Sequence, residues 1–272
     1  MVEPSASVVN VVIGAGSGIG AAVARQLIGR GPLIVADRTQ ADVEELAVSL
    51  GADAHPVGCD VTDQVQVDEL FDSVGRLGAV VVTAGLSGAQ APARTILDVN
   101  LAGTARVLGA AEAKLGAGSV GICFASASGY RTAEEPDLMA VLADPLAPDL
   151  FERVERVAPQ AASPHVAYSV SKRGVMRLVQ SRAFAWGAAG ARILSVSPSL
   201  VATPMSLNEE DRNPIMKDIA ASSPIGRRGR AEEVANVVSF LTSDLASYMT
   251  GCDVLVDGGI VLLDPERMAA ES

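Results

Sequence analysis

The fold of this chain is decided by the stretch Val8-Val9-Asn10-Val11-Val12-Ile13-Gly14-Ala15-Gly16-Ser17-Gly18-Ile19-Gly20. Its first six residues form a β-branched run that stops at a glycine, which is typical of a buried parallel strand. An alanine-rich helical pattern follows over residues 21–28. The succession of strand, glycine-rich turn and helix predicts the first unit of a doubly wound α/β fold.

The glycine-rich turn is a candidate site for a dinucleotide. Glycines allow the backbone to turn tightly and to approach a pyrophosphate, whose charge is met by the N–H groups and dipole of the helix start. The alternative is a tight turn that binds nothing. The residues expected to contact the cofactor are Gly14, Gly16, Ser17, Gly18, Ile19 and Gly20.

The second strand, Leu33–Asp37, ends in a carboxylate 19 residues after Gly18. At that spacing Asp37 is expected to accept both ribose hydroxyls of an adenosine, and its charge would repel a 2′-phosphate. The sequence therefore favours NAD over NADP. Two alternatives remain: Arg38 could receive a phosphate, and Asp37 or Thr39 could merely cap the helix expected at 40–50.

Five further apolar runs predict the remaining strands of a seven-stranded parallel sheet. They end near residues 58, 85, 124, 198 and 256. Asp60 follows the third strand, where it could meet an adenine edge or serve only as a turn residue. The carboxyl ends of such strands form the rim where ligands bind in open α/β sheets.

Tyr168 and Lys172 are the most informative pair in the second half of the chain. Residues four apart on a helix share one face, so the ammonium lies close enough to lower the pKa of the phenol. Tyr168 then becomes a candidate proton donor and acceptor. Taken alone, the pair could equally belong to an ordinary surface helix.

Two other polar residues are candidates with alternatives. Asn100 lies in an apolar helical window, where its amide must be hydrogen-bonded, either as a satisfied core residue or as part of a polar relay. Ser126 follows the fifth strand and could point into the cofactor crevice or bond to the backbone. No G-x-S-x-G elbow surrounds Ser126, which disfavours a serine hydrolase.

Composition narrows the class of protein. The net charge of −11 argues against partners such as nucleic acid or an anionic membrane. The three cysteines are far apart, which is typical of a cytoplasmic protein without disulfides. No cysteine or histidine has metal-ligand spacing, so we expect no metal site, and no apolar run is long enough to span a membrane.

Together these residues resemble the short-chain dehydrogenase/reductase family over about residues 8–260. The resemblance implies a Rossmann-like sheet in the strand order 3-2-1-4-5-6-7 and an NAD cofactor. It rests on Gly14-x-x-x-Gly18-x-Gly20, Asp60-Val61, Ala84-Gly85, Asn100, Ser126, Tyr168-x-x-x-Lys172, Pro198 with Thr203, and Asp257-Gly258-Gly259. The chain departs from the family pattern at Ile13, Thr83 and Ser199, which leaves the bracing of the glycine turn open.

The resemblance also implies the chemistry. Tyr168 would exchange a proton with the substrate oxygen, which Ser126 would hold, while hydride passes to or from the nicotinamide. Lys172 would bind the nicotinamide ribose and lower the pKa of the tyrosine, and Asn100 would fix a water that leads protons out. The further expected cofactor contacts are Val61, Ala84, Gly85, Pro198, Val201 and Thr203.

The 42 positions between Ser126 and Tyr168 exceed the usual family spacing and resemble bacterial 3α-hydroxysteroid dehydrogenase/carbonyl reductases. We expect a single domain over 1–272 with a helical insert at about 130–165. The insert could be a substrate lid or an interface element. A mobile substrate loop is expected at about 203–224, and the resemblance implies a homodimer or homotetramer.

The sequence therefore predicts an NAD-dependent oxidoreductase that acts on a hydrophobic secondary alcohol or ketone, which could be steroid-like. One alternative is a catalytically silent NAD-binding regulatory protein of the same fold. Another is a serine hydrolase that uses Ser126. Neither the exact substrate nor the direction of the reaction follows from the sequence.

Overall fold

The computed structural model describes residues 8–204, 206 and 215–262. Its strands are β1 (Val8–Ile13), β2 (Leu33–Asp37), β3 (Ala54–Gly58), β4 (Arg76–Val82), β5 (Val120–Phe124), β6 (Arg192–Pro198), β7 (Val201–Ala202), β8 (Gly229–Arg230) and β9 (Asp253–Val256). Seven of them form one parallel sheet in the order β3-β2-β1-β4-β5-β6-β9. The predicted α/β fold and its strand order are confirmed. The two-residue strands β7 and β8 pair separately.

Helices cover both faces of the sheet, as the continuous burial along its strands requires. They are α1 (Gly18–Leu27), α2 (Ala41–Leu50), α3 (Gln64–Asp72), α4 (Ala93–Leu97), α5 (Thr104–Glu112), α6 (Pro136–Leu142), α7 (Leu150–Val157), α8 (Pro164–Ala188), α9 (Ile215–Ser222) and α10 (Ala231–Leu241). In β1, Val11 and Ile13 enter one core layer and Val12 enters the other. The strand is thus buried on both faces, which accounts for its unbroken apolar run.

Each core layer is built around one or two large side chains and many aliphatic ones. Trp186 and Phe71 are fully buried in the layer under α3, α5 and α8. The indole Nε1 of Trp186 donates a hydrogen bond to Glu112 over 3.1 Å. The other layer packs α1 against α10 through Leu27, Val238 and Leu241. Burial of these side chains is the main stabilising contribution to the sheet.

Two local details differ from the expected pattern. β4 begins at Arg76, three residues before the predicted strand, because Arg76 pairs with Val8 at the start of β1. The window that carries Asn100 is a π-helix over Asp98–Gly103, inserted between α4 and α5. Part of the predicted mobile loop at 203–224 lies outside the described residues, and α9 occupies Ile215–Ser222 within it.

The long segment after Ser126 contains the two short helices expected there, α6 and α7, followed by a 3₁₀ turn at Pro159–Ala162. α6 packs against α8, and α7 packs against α4. Arg94 on α4 makes an ion pair with Glu152 of α7, and its guanidinium lies 4.6 Å from the centre of the Phe151 ring. The insert therefore covers α4 and α8 rather than standing apart from the domain.

Within the part of the chain that the structure describes, none of the helices combines the length and the apolar character needed to cross a bilayer.

Candidate active site

The glycine turn after β1 is held by close contacts that only glycine permits at its first position. Gly14 has φ of 87°, and a methyl group added there would come within 2.3 Å of the Ala84 nitrogen. The hydroxyl oxygen of Thr83 lies 2.9 Å from the carbonyl oxygens of both Ile13 and Gly14, which share its single O–H donor. Thr83 therefore braces the turn at one of the positions where the sequence departs from the family pattern.

Asp37 is tied directly to this turn. Its Oδ2 accepts a hydrogen bond from Gly16 N over 2.8 Å, and its Oδ1 accepts one from Arg38 N over 2.8 Å. A methyl group at Gly16 would approach Asp37 Oδ2 within 2.8 Å, so a side chain there would displace the carboxylate. Asp37 does not cap α2, because its oxygens accept from Gly16 N and Arg38 N. Thr39 does lie at the start of the helix, where its N and Oγ1 donate to Asp42 Oδ2 over 3.0 Å and 2.8 Å.

A cleft of about 950 Å³ runs along the carboxyl ends of the strands. All of the expected cofactor contacts lie on its wall, as do three of the four expected catalytic residues. The expected residues on the wall are Gly14, Gly16, Ser17, Gly18, Ile19, Gly20, Asp37, Arg38, Asp60, Val61, Ala84, Gly85, Ser126, Tyr168, Lys172, Pro198, Val201 and Thr203. Asn100 is the expected residue that does not reach the wall.

Lys172 approaches the cleft from a buried position on α8. Its Nζ donates to the Phe124 carbonyl at the end of β5 over 2.9 Å and lies 5.7 Å from the centre of the Tyr168 ring. Burial lowers the pKa of Lys172 to about 8 because the ammonium has lost its water. An ammonium has three donors, and within the residues that the structure describes the bond to Phe124 uses one of them.

Asn100 is fully buried behind the wall. Its Oδ1 accepts from Leu86 N over 2.8 Å, and its Nδ2 donates to the Leu86 carbonyl and to Ser171 Oγ. A methyl group at Gly85 would come within 3.2 Å of Asn100 Oδ1 and 3.3 Å of Lys172 Nζ. Both donors of the amide are thus used within the protein, and its contacts fix the loop after β4 against α8.

Ser126 is buried at the start of a 3₁₀ turn over Ala127–Arg131. Its Oγ accepts a hydrogen bond from Ser128 N over 3.2 Å and lies 3.0 Å from Ser128 Oγ. Both hydroxyls lie on the cleft wall, as the sequence predicts for two serines after one strand. The backbone contact and the place in the crevice, considered as alternatives, are both present.

Asp60 is a turn residue that also lines the cleft. Its Oδ1 accepts from Thr62 N over 2.9 Å and from Thr62 Oγ1 over 2.7 Å, while the residue lines the cleft beside β3. Asp63 caps α3 by accepting from Val65 N and Gln66 N. Next to them, burial and the charges of Asp60 and Asp63 raise the pKa of the Cys59 thiol to about 11.

Sequence reasoning missed several residues of the cleft wall. His165 lies three residues before Tyr168 on α8, a spacing that could have identified it. Met216 and Ile219 have the same spacing on α9. Arg131 and Ile260 carry no such signal, because their positions depend on how two 3₁₀ turns pack. Within the described ranges no cluster of His, Cys, Asp and Glu could hold a metal ion.

Comparison with known proteins agrees with this geometry. A short chain dehydrogenase model matches residues 8–131, and an enoyl-(acyl carrier protein) reductase model matches residues 153–261. The short-chain dehydrogenase/reductase bsc3 of Alternaria brassicicola is 33% identical over 262 residues, which is 92% of this chain and 94% of the relative.

A second relative is the cis-4-hydroxycyclohexanecarboxylate dehydrogenase of Sinomonas cyclohexanicum, 32% identical over 266 residues, with 95% of this chain and 98% of the relative covered. A solved short-chain type dehydrogenase/reductase from Mycobacterium ulcerans superimposes with a TM-score of 0.76 at 26% identity, covering 97% of this chain and 94% of that one. The fold, the cleft and these similarities together show that the chain belongs to the short-chain dehydrogenase/reductase family of oxidoreductases.

Proposed function

We propose that this protein is an NAD-dependent alcohol dehydrogenase or ketone reductase that acts on a hydrophobic secondary alcohol. One observation carries the proposal: Tyr168, Lys172 and Ser126 line the same cleft as the glycine turn after β1. A phenol, an ammonium and a hydroxyl are the groups needed to move a proton at a carbonyl oxygen beside a bound dinucleotide.

The residues of the first two βα units fit NAD. The glycine turn presents backbone N–H groups at the start of α1, where a pyrophosphate is favoured. The absence of a side chain at Gly16 keeps the turn open and in contact with Asp37. Each Asp37 oxygen retains capacity for a ribose hydroxyl, and the negative charge disfavours a 2′-phosphate. Bound NAD supplies the hydride acceptor or donor.

The proton step falls to Tyr168. As a phenolate it would receive the alcohol proton during oxidation, and as a phenol it would donate that proton to the carbonyl oxygen during reduction, while Ser126 Oγ holds that oxygen. Among the described residues Lys172 Nζ donates to Phe124 alone, so its other N–H groups would bind ribose hydroxyls while its charge favours the ionised phenol. Asn100 is better described as a positioning residue, since it holds Leu86 and Ser171 and does not reach the cleft wall.

The substrate is proposed to have an apolar body. Met216, Ile219, Ile260 and Val261 line the cleft on the side of β6 and β9. The name of the Sinomonas relative supports a cyclic secondary alcohol, and the long insert keeps a steroid-like ring system among the candidates. A screen of cyclic alcohols and ketones, followed by NADH absorbance, tests the proposal. Tight NADH binding without turnover of any member would instead indicate a cofactor-binding regulatory protein.

The protein is proposed to act as a single domain that forms a homo-oligomer in the cytoplasm. Phe184 is 92% and Tyr248 is 104% exposed. The two residues belong to neighbouring segments, because Gly251 packs against Ala183. Such exposed aromatic side chains support burial against another copy. Sedimentation of the purified protein measures its oligomeric state. A protein that is monomeric at all concentrations would contradict the proposed homo-oligomer.

We further propose that the insert at 130–165 shapes the subunit surface rather than closing over the substrate. Its two helices cover α4 and α8, and only its two ends, Arg131 and His165, reach the cleft wall. A Leu146→Lys substitution on its exposed face tests this idea. We expect an altered oligomeric state with an unchanged KM, whereas an altered KM alone would support the lid.

A further inference from the structure

The ionisable side chains of the cleft are unevenly distributed along it. Three carboxylates line the wall, those of Asp37, Asp42 and Asp60. Asp37 ends β2, Asp42 opens α2, and Asp60 follows β3. Because β3 and β2 form one edge of the sheet, all three lie at the same end of the cleft, the end proposed for adenosine, where Arg38 is the one basic residue on the described wall.

The other end of the cleft is basic. Arg131 closes the 3₁₀ turn after β5, and His165 lies on the first turn of α8. Among the wall residues that the structure describes after β5, β6 and β9, none is an aspartate or a glutamate. This end also contains Ser126 and Tyr168, so the cation lies on the side where the reacting oxygen is proposed to bind.

Arg131 differs from most arginines around it. Arg153 pairs with Asp144 over 2.8 Å, and Arg173 pairs with Glu134 over 3.0 Å. The guanidinium of Arg131 makes no hydrogen bond or ion pair with any residue within 8–204, 206 or 215–262. An exposed guanidinium on a cleft wall is a fork of donors that matches a carboxylate in a bidentate arrangement.

Part of the wall on the Arg131 side is apolar, although the neighbouring Tyr130 donates to Asp253 Oδ2 over 2.7 Å. The 3₁₀ turn that it closes packs against the 3₁₀ turn Ile260–Leu262, whose Ile260 and Val261 line the cleft. Met216 and Ile219 add further apolar wall on this side. A ligand that fills this end would therefore contact aliphatic side chains along its body and one cation at its margin.

We propose that Arg131 binds a carboxylate on the substrate, so that the substrate is a hydroxy acid, or the corresponding keto acid, with an apolar body between the carboxylate and the reacting carbon. This rests on the proposed function, which supplies the hydride transfer. Arg131 acts as a specificity-determining residue, since its contact is with the distant carboxylate and not with the carbon that changes oxidation state. Charge complementarity at this end selects the acid over neutral analogues of the same shape.

The test compares two probes of nearly the same shape, 4-hydroxycyclohexanecarboxylate and 4-hydroxycyclohexanecarboxamide, of which the second is neutral and has an NH2 group in place of one carboxylate oxygen. We expect the carboxylate to have the higher kcat/KM in the wild type. Arg131→Gln should raise the KM for the carboxylate roughly 10–100-fold, the loss expected for a charged hydrogen-bonded pair, with nearly the same kcat. The kinetic constants for the carboxamide should hardly change. Arg131→Lys should keep part of the wild-type preference for the carboxylate over the carboxamide.

Arg177→Gln provides the matched control, because Arg177 is exposed on α8 and does not line the cleft. It should leave both probes unaffected. Equal kcat/KM for the two probes, or an equal loss of both in Arg131→Gln, would overturn the carboxylate site while leaving the proposed function intact. If no alcohol in the wider screen is oxidised, the proposed function itself fails, and with it this inference.

Discussion

Lys172 Nζ lies 5.7 Å from the centre of the Tyr168 ring, one helical turn away on α8, and donates to the Phe124 carbonyl at the end of β5. The contact joins the helix that carries the proposed acid-base group to the strand that leads to Ser126. It also places a cation in a buried environment. Burial of a charge disfavours its charged form, and this cost depends on pH.

The stability cost of Lys172 gives the first prediction. Burial lowers its pKa from 10.5 to about 8, so the folded state binds fewer protons than the unfolded state between those values. The contribution of this residue to the free energy of unfolding must therefore rise with pH across that window. Between these two pH values, the free energy of unfolding of the wild type should rise by roughly 2–4 kcal/mol relative to that of Lys172→Met. Urea unfolding of both proteins at several pH values measures the difference.

Lys217, an exposed lysine on α9, provides the control for removal of a lysine charge through Lys217→Met. The difference in free energy of unfolding between the wild type and Lys172→Met should change with pH. The corresponding difference between the wild type and Lys217→Met should change much less. A difference for Lys172→Met that is constant, or that falls as pH rises, would show that the ammonium is not buried as described.

Cofactor choice gives the second prediction. The wild type should bind NADH more tightly than NADPH, because Asp37 accepts ribose hydroxyls and repels a 2′-phosphate. Asp37→Ala should weaken the binding of NADH roughly 10–100-fold, and it should narrow or invert the preference for NADH over NADPH. Asp37→Asn retains the shape and removes the charge, so it separates the two contributions. Isothermal titration with both cofactors is the measurement, and equal affinity of the wild type for both would contradict the assignment.

The third prediction separates an oxidoreductase from a serine hydrolase. Ser126 Oγ contacts Ser128, and a nucleophilic serine instead needs an adjacent base to remove its proton. An electrophilic fluorophosphonate should therefore form no adduct with the native protein. Ser126→Ala should lower kcat for alcohol oxidation by roughly 10²–10³-fold, the usual effect of removing a donor to a developing oxyanion. A stable adduct on Ser126 in the mass spectrum would support the hydrolase.

Thiol reactivity gives the fourth prediction. Burial raises the pKa of Cys123 to about 12, and burial with two nearby carboxylates raises that of Cys59 to about 11. The thiolate is the reactive form, so neither residue should react near neutral pH in the folded protein. Iodoacetamide followed by peptide mass spectrometry should detect native alkylation at Cys252, which is half-exposed, and at all three cysteines after unfolding. Rapid native alkylation of Cys123 would contradict the packing of β5.

The parts of the fold that the sequence predicts are those encoded locally. β-branched runs that end at glycine identify β1 and β2, and the i, i+4 spacing of Tyr168 and Lys172 places both on one helix face. Parallel strands bring their carboxyl ends to one edge, which is why residues far apart in the chain meet in a single cleft. No tertiary information is needed for those steps.

The remainder depends on packing that no local pattern reveals. The π-helix at Asp98–Gly103 turns Asn100 behind the cleft wall, whereas a regular helix pattern does not say which way the amide points. The bond between Asp37 and Gly16 N joins two βα units, and Arg131 reaches the cleft through the contact of two short turns. Each requires knowledge of how separate elements approach one another.

The central claim is that the hydroxyl of Tyr168 transfers the proton in hydride exchange with NAD. Tyr168→Phe removes that hydroxyl and keeps the ring, so kcat for the best alcohol of the screen should fall by at least roughly 10²-fold, the usual contribution of a general acid or base. The Kd for NADH should stay nearly unchanged. Steady-state rates and NADH titration of the two proteins make the comparison, and a variant that turns over at the wild-type rate would contradict the account.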